Sequence, residues 1–171
     1  MADLITTYIE RLFEREGYFS NHAADRGGAT AWGITRSTLA FWRKHVVSVE
    51  EVKALTQLEA ASIYRALYFD NHRIGLLPDE IEEQVFDFGV NSGPQVAIQA
   101  LQECLSIKAD GTIGPTTVAA TLVACRPDGG RALNRKLAVW RAMMIARIVR
   151  RDPSQVAFLA GWLRRTLDFI K

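Results

Sequence analysis

The sequence has 171 residues, 49% of them hydrophobic and 23% charged, which suits one compact domain or one domain with a small appended part. This composition excludes a disordered polymer, and no apolar run approaches the ~20 residues that a membrane-spanning helix needs. The opening stretch, MADLITTYIERLF, lacks the basic start and the cleavage site of a secretory signal. We therefore expect synthesis in the cytoplasm without a signal peptide, so another route must deliver the protein if its target lies elsewhere.

The charge is unevenly distributed along the chain. Residues 1–125 contain ten Lys/Arg and sixteen Asp/Glu, a net charge of −6, whereas residues 126–171 contain eleven and three, a net charge of +8. A basic C-terminal segment indicates an anionic partner such as nucleic acid, a membrane surface or a cell-wall polymer. A solvated helix face that pairs with the acidic part of the chain explains the same pattern equally well.

The first element is an amphipathic helix over residues 3–16, which Gly17 ends. Residues 17–35 are rich in Gly, Asn, Asp and Ser, and predict a loop or a small β-hairpin lobe. On the helical wheel, Glu16 lies in the centre of the apolar stripe, whereas Glu10 and Glu14 lie on the polar face. The stripe itself consists of Ile5, Tyr8, Ile9, Leu12 and Phe13.

The rest of the chain reads as helix after helix, so the predicted fold class is mainly α. Ser48 is a predicted N-cap, Thr56 and Glu59 form a predicted capping box, and Asp110-Gly111 is a tight-turn signal. The chain has no low-complexity linker, and its best boundary is a soft one near residues 91–94. Helical patterns cover residues 36–45, 48–55, 56–69, 77–90, 93–107, 115–124, 128–151 and 154–170.

The cysteines and histidines indicate no metal site. Cys104 and Cys125 lie in apolar helical contexts without CxxC spacing, so free buried thiols are the simpler interpretation, with a disulfide as the alternative. The three histidines, at 22, 45 and 72, lack the spacing of metal ligands. We expect no metal and no cofactor.

Two acids in the stretch EREGYFSNHAADRGGATAWGIT are candidates for catalysis. An apolar environment and the negative end of the helix dipole would both raise the pKa of Glu16, which suits a general acid. Asp25 lies in a polar, glycine-flanked segment and should stay ionised. Glycoside hydrolysis requires one protonated and one ionised carboxyl group. Structural roles remain open for both residues: Glu16 could pair with a base, and Asp25 could shape a turn.

EGYFSNHAADRGGATAWGIT resembles the N-terminal signature of glycoside hydrolase family 108, whose members are N-acetylmuramidases found as phage endolysins and as muramidases serving bacterial secretion. Glu16 takes the position of the family's catalytic glutamate. FDFGVNSGP is similar to the family's FDxxVNSG block. LQECLSIKADGTIGPTTVAA and FLAGWLRR look like its C-terminal region, which resembles a peptidoglycan-binding domain.

The resemblance implies a lysozyme-like helical fold with a small lobe near residues 17–35. It implies a catalytic region over 1–92 and a helical C-terminal region over 93–171, packed as one globule. The expected activity is hydrolysis of the β-1,4 bond between N-acetylmuramic acid and N-acetylglucosamine. The expected protein is a monomer that acts on the periplasmic wall after release by a holin or a secretion system.

The resemblance also assigns roles to individual residues. Glu16 is the expected general acid, and Asp25 is the expected base or electrostatic partner, with Thr30 helping to position water. Two departures matter: Ala29 replaces an acid often found there, and Tyr18 replaces a glycine. Asp87 is therefore a second candidate acid. The expected substrate-binding residues are Trp32, Asn91 and Asp87.

Two other classes of function fit parts of the sequence. One is a non-catalytic wall-binding or secretion accessory protein of the same fold, against which the intact Glu16 and Asp25 argue. The other is a nucleic-acid binder, for which no fold signature is present. In that class, Trp140 and Trp162 would be exposed, whereas their apolar neighbours predict core positions. It also requires one exposed stripe formed by Arg147, Arg150, Arg151, Arg164 and Arg165.

Overall fold

A computed structural model describes residues 4–16, 18–20 and 28–170, without the side chains of residues 15, 16 and 20. The chain divides into two compact units, Met1–Leu67 and Tyr68–Lys171. We call them the N-terminal and C-terminal units. Within the described ranges the secondary structure is mainly α-helical, as predicted.

The N-terminal unit combines helices with one small sheet. Its strands form an antiparallel sheet in the order β1-β2-β3. The predicted β-hairpin lobe is therefore present in the described part of residues 17–35. The elements are α1 (Leu4–Glu16), β1 (Phe19–Ser20), β2 (Thr30–Ala31), β3 (Ile34–Thr35), α2 (Arg36–Arg43), α3 (Val49–Lys53) and α4 (Gln57–Tyr64).

Helix α1 forms because its apolar residues recur at helical spacing and pack into the unit, where the helix contacts α4. Every residue of the predicted apolar stripe is buried, which confirms the wheel for this face, whereas Glu10 and Glu14 are exposed. The side chain of Glu16, the last residue of α1, lies outside the description. The buried residues are Ile5, Tyr8, Ile9, Leu12 and Phe13.

Side-chain caps fix where two of the short helices begin. Ser48 accepts a hydrogen bond from the Glu51 amide, and the Glu51 carboxylate accepts one from the Ser48 amide, so α3 begins with a complete capping box. At α4, Thr56 accepts from the Glu59 amide at 3.2 Å. The Glu59 carboxylate, however, binds the guanidinium of Arg43 at 2.9 and 2.8 Å. Of the capping box predicted at α4, the hydrogen bond to Thr56 is present. The Glu59 carboxylate forms an ion pair with Arg43 instead of the second capping bond.

Helical backbone continues beyond α4 as a π-helical turn, Arg65–Phe69, which reaches the predicted end at Phe69. In the C-terminal unit, α5 packs against α6, and α8 packs against α5, α6, α7 and α9. Short 3-10 turns lie at Asp70–His72, Ile74–Leu76 and Pro153–Gln155. The long helices are α5 (Asp79–Ser92), α6 (Pro94–Cys104), α7 (Pro115–Cys125), α8 (Arg131–Arg151) and α9 (Val156–Leu167).

A buried glutamine explains the LQ and DG elements of the C-terminal motif. The Gln102 side chain, 1% exposed, donates to Asp110 Oδ1, Thr112 O and Thr117 Oγ1 at 2.9, 3.0 and 3.1 Å. Its carbonyl oxygen accepts the Gly111 amide at 2.9 Å. Gly111 has a φ of +75°, and a Cβ there would lie 2.6 Å from Gln95 Cγ, so only glycine suits this turn. The motif therefore has a structural role in the C-terminal unit.

The two cysteines are free thiols, the simpler of the two sequence interpretations. Cys125 is buried, and Cys104 is half-buried at the end of α6. Burial raises the pKa of the Cys104 thiol to about 11, so this thiol is protonated at neutral pH.

Among the residues that the structure describes, no helix combines the length and apolarity needed to cross a membrane.

Candidate active site and peptidoglycan-associated region

The hairpin between β2 and β3 turns on an unusual pair of residues. Its register pairs Ala31 with Ile34, leaving Trp32 and Gly33 as a two-residue loop. Their φ values are +53° and +75°, the signs of a type I′ turn. Asparagine, aspartate or glycine usually occupies the first position, and a tryptophan held there costs on the order of 1–3 kcal/mol. Surrounding contacts must therefore maintain this conformation.

Three hydrogen bonds hold Trp32 in this turn. Its amide donates to the Tyr18 carbonyl at 2.7 Å, and its indole Nε1 donates to the Leu55 carbonyl at 3.0 Å. The Tyr64 hydroxyl in turn donates to the Trp32 carbonyl at 3.1 Å. Tyr64 itself is 2% exposed, so its hydroxyl is a fixed donor. The turn is thereby attached to α4 and to the segment that precedes it.

Aromatic rings surround Trp32 on the side of α1. The Phe13 and Tyr18 rings approach it edge to face, with centroid distances of 5.4 and 5.1 Å, and Phe13 contacts Tyr64 at 6.1 Å. Tyr18 is 52% exposed, and its hydroxyl donates to the Lys53 carbonyl at 2.6 Å. We call Phe13, Tyr18, Trp32 and Tyr64 the aromatic cluster. It lies one helical turn before the end of α1, where Phe13 precedes Glu16 by three residues.

Of the residues predicted for catalysis, Thr30 is fully described. It lies in β2, is half-buried, and its hydroxyl donates to the Gly28 carbonyl at 3.2 Å. Glu16 is the last residue of α1, with its side chain outside the description, and Asp25 lies wholly outside the described residues. Thr30 and Trp32 therefore belong to one hairpin in the unit whose first helix ends at Glu16.

Asp87, predicted as a substrate-binding or catalytic acid, is held in an ion cluster of the C-terminal unit. It is 5% exposed and accepts hydrogen bonds from Arg141 Nη1 at 2.8 Å and Arg165 Nε at 2.9 Å. Arg141 is itself 1% exposed and lies over the Phe88 ring at 5.0 Å. The low exposure and the two arginines make this carboxylate part of an ion cluster. We therefore leave it out of the site.

Asn91 lies near the end of α5 and is exposed, so its amide is accessible from solvent. Its Oδ1 accepts a hydrogen bond from the Ser92 hydroxyl at 3.3 Å. Gly93 caps the helix, which means that Asn91 is a helical residue and not the C-cap. Its predicted contact with substrate stays a prediction.

The arginine stripe required of a nucleic-acid binder is interrupted. Arg165 is half-buried and binds Asp87, so it does not join an exposed face. The tryptophans also differ from the core positions predicted for them. Trp140 is half-buried and donates to Glu103 Oε2 at 2.8 Å, and Trp162 is half-buried and stacks on Phe158 at 5.7 Å.

A separate cavity in the N-terminal unit does not fit the predicted chemistry. It measures about 410 Å³, lies between α1 and α4, and is mostly apolar. Glu10 is the one carboxylate in its lining, whereas glycoside hydrolysis needs a pair. Phe13 lines this cavity and also belongs to the aromatic cluster. No group of three metal-ligating side chains occurs in the described part of the chain.

The sequence did not reveal what supports Trp32. Tyr64 contacts the Trp32 carbonyl from 32 residues away, and the Leu55 carbonyl accepts from 23 residues away. Nothing in the sequence marks either contact. The hairpin itself had a usable signal, since two residues ending in glycine between strand-favouring residues are typical of a type I′ turn.

The fold matches a solved structure over nearly its whole length. The structure of Brucella abortus SagA has 30% sequence identity, a TM-score of 0.78, and an alignment that covers 98% of this chain and 96% of that one. Together with the helical architecture, this match defines a mainly α, lysozyme-like protein. No curated protein sequence is significantly similar to the chain.

The sequence families agree with that class. The model described as "Glycosyl hydrolase 108" matches residues 9–93, and the one described as "Predicted Peptidoglycan domain" matches residues 96–167. The chain belongs to glycosyl hydrolase family 108 and carries a C-terminal peptidoglycan domain. The family supports glycoside hydrolase activity, and the second domain makes peptidoglycan the partner.

The two divisions of the chain fall at different places. The family models meet near residues 93–96, whereas the compact units meet between Leu67 and Tyr68. Helix α5 therefore belongs to the compact C-terminal unit while lying inside the hydrolase match. The predicted domain ranges 1–92 and 93–171 stay a prediction.

Proposed function

We propose that the protein is an N-acetylmuramidase that cleaves the β-1,4 bond between N-acetylmuramic acid and N-acetylglucosamine in peptidoglycan. The observation that carries this proposal is the Trp32 turn beside the end of α1. A strained tryptophan is held there by three hydrogen bonds, in the unit that supplies Glu16. Strained conformations that the surrounding structure maintains are typical of functional sites.

Glu16 is the general acid in this proposal. It ends a helix whose apolar stripe is buried, and helical spacing assigns residue 16 to the same face as Leu12 and Phe13. A position on the apolar face at the negative end of a helix dipole favours a neutral carboxyl group over a carboxylate, which suits a general acid. A protonated carboxyl can donate its proton to the leaving glycosidic oxygen.

Asp25 and Thr30 complete the proposed chemistry. Asp25 acts as base or as electrostatic partner of the oxocarbenium-like transition state, and Thr30 helps to position water. The Thr30 hydroxyl donates to the Gly28 carbonyl, which leaves its oxygen lone pairs available to a water molecule. A reaction with inversion would give the α-anomer as first product, whereas retention would give the β-anomer.

Trp32 offers substrate a ring rather than a hydrogen-bond donor, because its indole N–H is already bonded to Leu55. Aromatic rings pack against the apolar faces of sugars, and the half-exposed Tyr18 extends the same surface. Asn91, exposed on α5, is the proposed partner of hydroxyl or acetamido groups. We further propose that the enzyme acts as a monomer on the periplasmic wall, in lysis or remodelling, after release by a holin or a secretion system.

The decisive experiment compares wild type with Glu16→Gln on purified sacculi, and scores new reducing ends. Loss of a general acid is expected to reduce the rate by ~10²–10⁴-fold. Glu14→Gln is the matched control, because Glu14 is an exposed glutamate on the same helix. Undiminished cleavage by Glu16→Gln would refute the mechanism. A wild type that sediments with sacculi but releases no reducing ends would indicate the non-catalytic binding protein.

A further inference from the structure

Two neighbouring cavities follow helix α8 in the C-terminal unit. The first measures about 550 Å³ and the second about 600 Å³, and both are lined by Cys104 and Lys136. Their α8 residues run from Ala132 to Arg147, which at a rise of ~1.5 Å per residue is a length of about 22 Å. We call the two together the α8 groove.

The end of the groove nearest the start of α8 has walls of small apolar side chains. Alanines line it from both α7 and α8, and the exposed Val123 borders it. Such walls are apolar and shallow, so they offer contacts to methyl groups and to an extended backbone. The alanines are Ala119, Ala120, Ala124 and Ala132.

The other end of the groove is apolar at its floor and cationic at its edges. Val139 and Met143 are more than half exposed, and the half-buried Trp140 lies between them in sequence. Lys136 and Arg147 line the same stretch. Among the described residues, neither of these two cations forms an ion pair with a carboxylate. Both are therefore available to an anionic ligand.

The lining has one acid, Glu103, and its single negative charge is outnumbered by the cations. Glu103 accepts the Trp140 indole N–H at 2.8 Å, which orients the ring and occupies one carboxylate oxygen. The ring also contacts Phe88 at 5.8 Å, so it is fixed from two sides. A rigid aromatic anchor beside flexible cations is a common arrangement for binding a carboxylate-bearing ligand.

We propose that the α8 groove binds the stem peptide of peptidoglycan, a short chain of alanines and acidic residues. This inference rests on the assignment of peptidoglycan as the partner. The alanine-lined end would hold the methyl groups, and Lys136 and Arg147 would bind the carboxylates. An extended pentapeptide spans at most about 17 Å, which the groove can hold along α8.

The lining favours peptide over bare glycan. Sugar sites combine aromatic faces with amide and carboxylate acceptors that bond hydroxyl groups. The α8 groove contains no Asn, Gln or Asp, and its one carboxylate, Glu103, is already bonded to the Trp140 indole, whereas its other charged side chains are cationic donors. Its recognition chemistry therefore suits carboxylates rather than hydroxyls.

The test measures binding of a synthetic alanyl–glutamyl–diaminopimelyl–alanine tetrapeptide to the full-length chain by calorimetry. Lys136→Glu combined with Arg147→Glu is expected to weaken binding at least about tenfold, because like charges would face the carboxylates. Ala120→Trp, which fills the alanine-lined end without changing the charge, should weaken it as well. Circular dichroism confirms that each variant is folded.

The matched control reverses Arg150 and Arg151, which are exposed on the same helix outside the groove, and should leave the affinity unchanged. Peptide affinities of the groove variants equal to that of wild type would overturn the inference. Loss of affinity for peptide-free glycan, or for anionic phospholipid vesicles, that matches or exceeds the loss of peptide affinity in the groove variants would overturn it too, because the groove would then bind those ligands. A wild type that binds the tetrapeptide but cleaves no glycan would refute the proposed hydrolysis and support the groove.

Discussion

The two units hold their polar groups in different ways. In the N-terminal unit, side chains such as Trp32 and Tyr64 bond to backbone carbonyls and maintain a strained turn. In the C-terminal unit, buried side chains such as Asp87 and Arg141 bond to one another across distant helices. The first arrangement maintains a strained backbone conformation that costs free energy of folding. The second stabilises the packing of distant helices against each other. We therefore expect mutations to affect activity in the first unit and unfolding in the second.

The largest expected effect is the loss of Asp87. Asp87→Ala removes a carboxylate that the buried Arg141 bonds at 2.8 Å, and removing one partner of a buried pair costs about 3–5 kcal/mol. Urea denaturation measures the change in the free energy of unfolding. Asp79→Ala, an exposed acid in the first turn of the same helix, is the control and should cost less than about 1 kcal/mol. Equal losses of unfolding free energy in the two variants would contradict a special structural role for the buried Asp87 cluster.

The next effect concerns Gln102. Gln102→Ala leaves the Gly111 amide and the Thr117 hydroxyl without this partner, and an unsatisfied buried group costs about 1–3 kcal/mol. Thermal unfolding of the full chain checks the loss. Gln95→Ala, an exposed glutamine on the same helix, should unfold close to the wild-type temperature. A Gln102 variant as stable as that control would contradict the structural role of the motif.

A smaller effect on stability, but a clear one on catalysis, is expected for Tyr64→Phe. The substitution removes the hydrogen bond to the Trp32 carbonyl, which is worth about 1 kcal/mol. If Trp32 orients substrate, kcat should fall while the pH profile keeps its shape. Tyr18→Phe tests the other hydroxyl, which bonds Lys53 and not the turn. Wild-type kinetics for Tyr64→Phe would show that the strained turn is not tied to activity.

The smallest effect is that of the Arg43–Glu59 pair. A hydrogen bond from Arg43 lowers the pKa of Glu59 below its ordinary value. The pair therefore stabilises the fold at pH values above the ordinary carboxyl pKa. This contribution is lost as the pH falls through the lowered pKa. Glu59→Gln should cost about 0.2–1 kcal/mol at neutral pH. In acid below that range its stability should approach that of wild type. A difference that grows on acidification would have the wrong sign for this pair.

Local patterns in the sequence predicted local structure well. The apolar stripe of α1 and the Ser48 cap depend on neighbours a few residues apart, and both are present. Contacts over long separations were not predictable in this way. Asp87 meets Arg141 and Arg165 from 54 and 78 residues away, and nothing local distinguishes it from a cleft acid. The sequence alone therefore gave no reason to expect the ion cluster.

The candidate site was predictable in part. Periodicity assigns one glutamate of three, Glu16, to the apolar face, and its catalytic role stays a prediction. The left-handed conformation of Trp32 was not foreseen, because tryptophan rarely adopts it and only tertiary contacts hold it there. The role of Tyr64 was not predicted, because its hydroxyl donates to a backbone carbonyl. Every residue has such a carbonyl, so the sequence does not mark the partner.

The turn at Trp32 has a consequence for anyone engineering this protein. Asn-Gly is the sequence that a type I′ hairpin prefers, so asparagine at position 32 would relieve the backbone strain but lose the indole bond to Leu55 and the ring contacts of the aromatic cluster. A library selected for thermal tolerance alone would show which of these two effects is larger. A library selected for wall cleavage should retain an aromatic residue. If thermal selection enriches asparagine, the two selections diverge at a single codon, and the size of that divergence measures how much stability this position gives up for activity.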